Sequence, residues 1–140
     1  MRMRELAMKC TVVEVSVRDS DLCGFVRQRK IENPTNVALE IAREAFALFK
    51  ANYRWGKPLR GLGVRGAGLV QEDCAVQLGF LSNEEKREKL ERIDKAVDTV
   101  RERYGYTCVQ RAIVYTDNQL SKINPKDDHT VHPVGFFNAG

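Results

Sequence analysis

The run Cys10–Arg18, C-T-V-V-E-V-S-V-R, constrains this chain more than any other segment. Val13, Val15 and Val17 alternate with Glu14, Ser16 and Arg18. An extended backbone puts the three valines on one face and the three polar side chains on the other, whereas a helix would split the valines around its axis. The segment is therefore a strand with one buried face, and that face needs a second layer to cover it. Asp19-Ser20-Asp21 supplies turn residues. A second strand over roughly Gly24–Ile31 then returns as the other arm of an antiparallel hairpin.

The covering layer follows in sequence. Asn33-Pro34-Thr35-Asn36 opens a helix, with Thr35 or Asn36 able to cap it by accepting a free backbone N–H. Ala38, Ile41, Ala45, Leu48 and Phe49 fall on one helical face. The helix fades near Tyr53, and Trp55-Gly56-Lys57-Pro58 is loop. Leu59–Val70, L-R-G-L-G-V-R-G-A-G-L-V, is a third strand in which Leu62 and Val64 alternate with Gly61, Gly63 and Arg65. Glycine weakens a strand. Its repetition on one face marks either a backbone that another molecule approaches closely or a twisted edge strand.

Residues 71–82 form a connector containing Gln77-Leu78-Gly79-Phe80-Leu81. Ser82-Asn83-Glu84-Glu85 is a capping box that starts a helix running to Tyr104, where Gly105 stops it. Its apolar stripe is Leu90, Ile93, Val97, Val100 and Tyr104, and Glu85/Lys89, Glu88/Arg92 and Glu91/Lys95 are favourable pairs one turn apart. Cys108–Tyr115 is expected as a last strand, and residues 117–140 as a polar tail. The order ββαβαβ predicts an α+β fold: a four-stranded, mostly antiparallel sheet with two helices packed on one face. Residues 1–116 make the domain, with 1–10 as the end of a preceding helix.

Composition narrows the function. A chain of 140 residues is enough for one domain. No apolar run approaches the ~18 residues of a membrane span, and Met1-Arg2-Met3-Arg4 leads into no signal-like stretch. Cys10, Cys23, Cys74 and Cys108 form no C-x-x-C pair, which favours reduced, structural cysteines in a cytoplasmic protein. Residues 1–65 carry 13 Lys/Arg against 7 Asp/Glu, and residues 66–140 carry 10 against 12. The first half is thus basic. It is either a phosphate-binding face or an ordinary solvated surface. Phosphate loops, dinucleotide glycine motifs, zinc-protease motifs and nucleophile elbows are missing from the sequence. His129 and His132, in D-D-H-T-V-H-P, offer two metal ligands and no obvious third, so neither a metal nor a catalytic residue is assigned. The pattern favours a binding module over a catalyst.

Three segments together carry a resemblance: V-V-E-V-S-V-R-D-S-D-L, F-V-R-Q-R-K-I-E-N-P-T and P-L-R-G-L-G-V-R-G-A-G-L. In order and spacing they resemble the little-finger domain of Y-family translesion DNA polymerases of the ImpB/MucB/SamB type, over about residues 4–115. The A-V-D-T-V-R-E-R-Y-G helix followed by V-Q-R-A is similar to the C-terminal extension of bacterial members. The resemblance implies a non-catalytic C-terminal piece of an error-prone polymerase of the DNA-damage (SOS) response. Its partners would be primer–template DNA and the remaining polymerase domains. The family's metal-binding carboxylates and their Mg2+ belong to an upstream palm domain, and nothing here matches it.

By the same resemblance, the DNA-gripping residues are Arg27, Arg29 and Lys30 in the second strand and Arg60, Gly61, Gly63 and Arg65 around the third. Such contacts hold phosphates without reading sequence. Strict alternation puts Arg60 on the face of Leu62 and Val64, opposite Arg65, unless a bulge re-aims it. Gln77, Leu78, Phe80 and Leu81 resemble the sliding-clamp-binding pentapeptide, with the two apolar anchors in swapped order. The alternative is a connector packed on its own core. The family's little finger begins with a further strand and helix, and the second helix and last strand here would fill their place, within one chain or by exchange in a dimer. Two other functional classes stay open: a protein-interaction domain using the second helix and residues 77–81, and a stand-alone nucleic-acid-binding module.

Overall fold

A computed structural model describes residues 2–73 and 84–124. The elements are α1 (Arg2–Glu5), β1 (Met8–Asp19), β2 (Gly24–Thr35), α2 (Ala38–Asn52), β3 (Leu59–Gln71) and α3 (Glu84–Tyr104). Three short 3-10 turns follow, Tyr106–Cys108, Ala112–Thr116 and Leu120–Lys122. The chain divides into two compact units, Met1–Lys95 and Ala96–Gly140.

The first unit is an antiparallel sheet in the order β2-β1-β3. The alternation in β1 decides its layering. Val13, Val15 and Val17 are at most 5% exposed and pack with Ala45, Leu48 and Phe49 of α2. Phe25, Ile31, Ile41, Tyr53 and Leu59 ring this core. Phe49 stacks on Tyr53 with ring centroids 5.1 Å apart, and Trp55 meets both rings edge-on. Cys10 is also buried, with Sγ 3.3 Å from the Thr35 carbonyl. Burial pushes its thiol up, so it packs as a small apolar group.

The β1–β2 turn is fixed by Asp19, whose Oδ1 accepts the N–H groups of Asp21 and Cys23, each at 2.9 Å. Leu22 takes a left-handed φ of 65°. Gly24 is required just beyond, since a Cβ there would stand 2.2 Å from the Val17 carbonyl oxygen. A bulge between Cys10 and Val12 lets β2 run on to Thr35, further than the alternation alone predicts. Opposite that bulge, Gly68 adopts φ 59°, a conformation that favours glycine.

The start of α2 differs from expectation. Thr35 Oγ1 accepts the Val37 N–H rather than capping the helix, and Val37 at the N-cap has no side-chain oxygen to offer. Asn36 is 1% exposed, and neither of its side-chain polar atoms has a hydrogen-bond partner among the described residues. The cap comes from a distant element instead: Asp94 Oδ2 on α3 accepts the Ala38 N–H at 2.8 Å. The same oxygen lies 3.2 Å from Arg4 Nη1, which also donates to the Asn36 carbonyl at 2.7 Å. Further ion pairs join Lys9 to Glu91, Arg87 to Glu40 and Lys95 to Glu72. Of the expected apolar stripe in these turns, Leu90 is half-buried and Ile93 is 47% exposed.

In the second unit, Gly105 ends α3 as expected, at φ 92°. The expected strand Cys108–Tyr115 is absent, and the four-stranded sheet is corrected to three strands among the described residues. Val109 and Arg111 have extended backbone angles, yet the chain coils into 3-10 turns around them. Arg101 explains part of this: Nε and Nη2 hold the Val109 carbonyl at 3.0 and 2.6 Å, with the guanidinium 4.2 Å from the Tyr106 ring centroid. That carbonyl is taken by a side chain rather than a neighbouring strand. Within this chain the segment adds no strand to the sheet.

Candidate nucleic-acid interface

Register assigns every strand residue to a face, because directly opposed residues in an antiparallel pair point the same way. Val13, Val15 and Val17 oppose Arg29, Arg27 and Phe25 on β2, and Gly66, Val64 and Leu62 on β3. This is the side that carries α2. Val12, Glu14, Ser16 and Arg18 oppose Lys30, Gln28, Val26 and Gly24 on β2, and Ala67, Arg65, Gly63 and Gly61 on β3. This second side is the open face: Ser16, Arg18, Val26, Gln28, Lys30, Gly61 and Arg65 are all exposed along it.

The cations expected from the sequence are thereby divided between faces. Lys30 and Arg65 stand on the open face. Arg27 and Arg29 stand on the helix-bearing side, where Arg29 Nη1 lies 3.5 Å from Glu44 of α2 and Arg27 folds over the Phe25 ring at 5.4 Å. Arg60 sits at an irregularity: Gly61 opposes Arg18 and Leu59 opposes Asp19, leaving Arg60 as the extra, exposed residue. That is the bulge which the alternation argument needed to re-aim it. Gly61 and Gly63 belong to the open face and bring no side chain to it, and Ser16 Oγ occupies the space beside Gly63.

Arg18 is the open-face cation that the sequence reading did not select. Its signal was present, since it continues the polar parity of Glu14 and Ser16. Glu14 is the one carboxylate among the paired residues of this face, 3.9 Å from Arg65. The face thus carries Arg18, Lys30 and Arg65 with bare backbone at Gly61 and the Ser16 hydroxyl beside Gly63, an arrangement suited to phosphate oxygens.

At one end of the sheet, the β1–β2 turn is tied to the loop before β3. Lys57 pairs with Asp21, and the Ser20 N–H donates to the Pro58 carbonyl at 3.0 Å. The Asp21 carboxylate raises the Lys57 ammonium pKa. Among the described residues no group of three or more His, Cys, Asp or Glu could hold a metal ion. No helix among them is long and apolar enough to cross a membrane. Gln77, Leu78, Phe80 and Leu81, like His129 and His132, lie outside the described residues.

The first unit is thus a small α+β fold with one sheet face covered by α2 and one open face that carries Arg18, Lys30 and Arg65. Residues 1–80 match the impB/mucB/samB family C-terminal domain, and the chain belongs to that family. It is 38% identical over 122 residues to DNA polymerase IV of Acetivibrio thermocellus, covering 87% of this chain and 31% of the relative. It is 31% identical over 114 residues to DNA polymerase IV of Clostridium acetobutylicum, covering 81% and 28%. A third relative, the candidate UV-damage repair protein UvrX of Bacillus subtilis, is 34% identical over 94 residues, covering 66% and 21%. The chain spans about a third or less of the length of these curated relatives.

Proposed function

We propose that the open face of the β2-β1-β3 sheet lies along the phosphate backbone of primer–template DNA, as the non-catalytic grip of a translesion polymerase acting at damaged DNA. The observation that carries this reading is the gathering of Arg18, Lys30 and Arg65 with Gly61 and Gly63 on one exposed sheet face. Arg60, the extra residue at the β3 bulge, adds a cation at the same end as Arg18. Phosphate contacts position a duplex without reading its bases, which suits an enzyme that accepts any template. The relatives' names support a polymerase context. Arg27 and Arg29, on the other side of the sheet, are assigned a secondary part at most. Gln77, Leu78, Phe80 and Leu81 would tether the chain to the sliding clamp, a few anchors carrying most of that contact.

The test is fluorescence anisotropy of a labelled primer–template duplex over a salt series. Binding should be indifferent to sequence and weaken steeply with salt. Arg18→Ala/Lys30→Ala/Arg65→Ala should weaken it by at least about tenfold, while Arg27→Ala/Arg29→Ala should leave most of it. Equal losses in both variants would defeat the face assignment. Clamp tethering is tested by binding of the sliding clamp to the chain and to Gln77→Ala/Phe80→Ala, and an unchanged affinity would remove that part of the proposal.

A further inference from the structure

One charge on the open face has the wrong sign for a phosphate-binding surface. Glu14 stands mid-face on the central strand, opposite Arg65 on β3 and Gln28 on β2. Its carboxylate lies 3.9 Å from the Arg65 guanidinium, and the two side chains differ in depth: Glu14 is 24% exposed and Arg65 is 75% exposed. The carboxylate is therefore seated low, with its cation standing toward solvent. A pair this exposed adds little to stability, so folding alone does not account for a carboxylate at this position.

We propose that Glu14 is an internal counter-ion that restrains Arg65 and so limits how tightly this face holds a phosphate backbone. The inference rests on the open face being a nucleic-acid interface. A phosphate approaching Arg65 competes with Glu14 for the charge of the guanidinium, which the carboxylate partly neutralises at 3.9 Å. Arg65 then contributes only part of a free cation to the contact. The face grips less tightly and releases more readily than its three cations alone would dictate, as suits a surface that moves along a growing duplex.

The experiment measures anisotropy of a labelled primer–template duplex with the whole 140-residue chain. It compares the wild type, Glu14→Gln, Arg65→Ala, their double variant and Glu44→Gln. Glu44 pairs with Arg29 on the opposite side of the sheet, so its variant reports the same charge change away from the face. Glu14→Gln should bind about 3- to 10-fold tighter at low salt, with a log–log salt slope steeper by up to about 1. In the Arg65→Ala background the gain should shrink below about 2-fold, and Glu44→Gln should change affinity by less than about 2-fold. A gain that persists without Arg65, or that Glu44→Gln reproduces, is bulk charge and overturns the proposal, as does no gain at all. If Glu14→Gln fails to fold, Glu14→Thr carries the same expectations. Absence of binding by every form at low salt overturns the interface reading itself, and the proposal with it.

Discussion

On β1, Val13, Val15 and Val17 are sealed under α2, whereas Ser16 and Arg18, one peptide away from them, are open to solvent. The same twelve-residue strand thus serves two tasks through its two-residue period. One face binds the fold together by shape and apolar area, and the other carries the charges that we propose meet a phosphate backbone. The difference means that stability and binding should be separable by mutation at adjacent positions, which is uncommon where a site lies in a packed cleft.

The largest break in this comparison is expected on the sealed face. Val15 is 1% exposed at the centre of the core. Val15→Ala should cost about 2 to 3 kcal/mol, read from urea unfolding, since removed methyl groups leave a void that the sheet cannot close. Below its transition the folded variant should still bind duplex DNA as the wild type does. A loss of binding without a loss of stability would mean that the two faces are not independent.

The next effect sharpens a second contrast within the first unit. α2 is held by an apolar seam, whereas the first turns of α3 are held by ion pairs. Asp94 is the strongest of these ties, because one oxygen caps α2 at Ala38 and pairs with Arg4, whose side chain is 9% exposed. Asp94→Ala should cost about 2 kcal/mol in urea unfolding, combining a lost cap with a largely buried cation deprived of one of its partners. A cost under about 0.5 kcal/mol would show that the α2 terminus is capped by water instead.

On the open face the effect should be on binding alone. Arg18→Ala/Lys30→Ala/Arg65→Ala should weaken duplex binding by at least about tenfold and flatten the salt slope by roughly 2 to 3. The unfolding midpoint should move little, as expected for exposed charges. A large fall in stability would place these side chains in the fold rather than at an interface.

Much of this was legible in the sequence because period-2 alternation is a local signal. Val13, Val15 and Val17 located the core, the turn at Asp19 located the hairpin, and the same parity already put Arg18 and Arg65 on the polar side. The parts that the sequence left open or placed differently depended on non-local facts. Arg27 and Arg29 could be assigned a face only once β2 was in register with β1. The cap of α2 comes from a residue 56 positions away, which no local cap motif can reveal. Cys108–Tyr115 has strand composition, but strand propensity is realised only against a neighbour, and here the Val109 carbonyl is held by Arg101.

The smallest effect tests whether the ionic seam of α3 behaves as one. Lys95 Nζ lies 2.8 Å from Glu72 Oε1, with the lysine side chain 54% exposed. The Lys95 hydrogen bond, with a further one involving Glu91, holds the Glu72 carboxyl below its ordinary value of 4.5. Glu72 in turn raises Lys95 above 10.5. A depressed carboxyl contributes stability above its unfolded value, and that contribution is lost as pH falls through the folded value. The raised lysine contributes below 10.5 and loses that contribution as pH rises past its folded value. Between those edges Lys95→Met should cost a constant amount, no more than about 0.5 kcal/mol given the exposure. Urea unfolding near neutral pH should resolve it, and in acid, as pH falls below 4.5 and through the lowered folded value of Glu72, the gap between wild type and variant should narrow. A gap that holds its size in acid would trace to packing of the lysine stem, and this end of α3 would then resemble the apolar seam of α2 more than its ion pairs indicate.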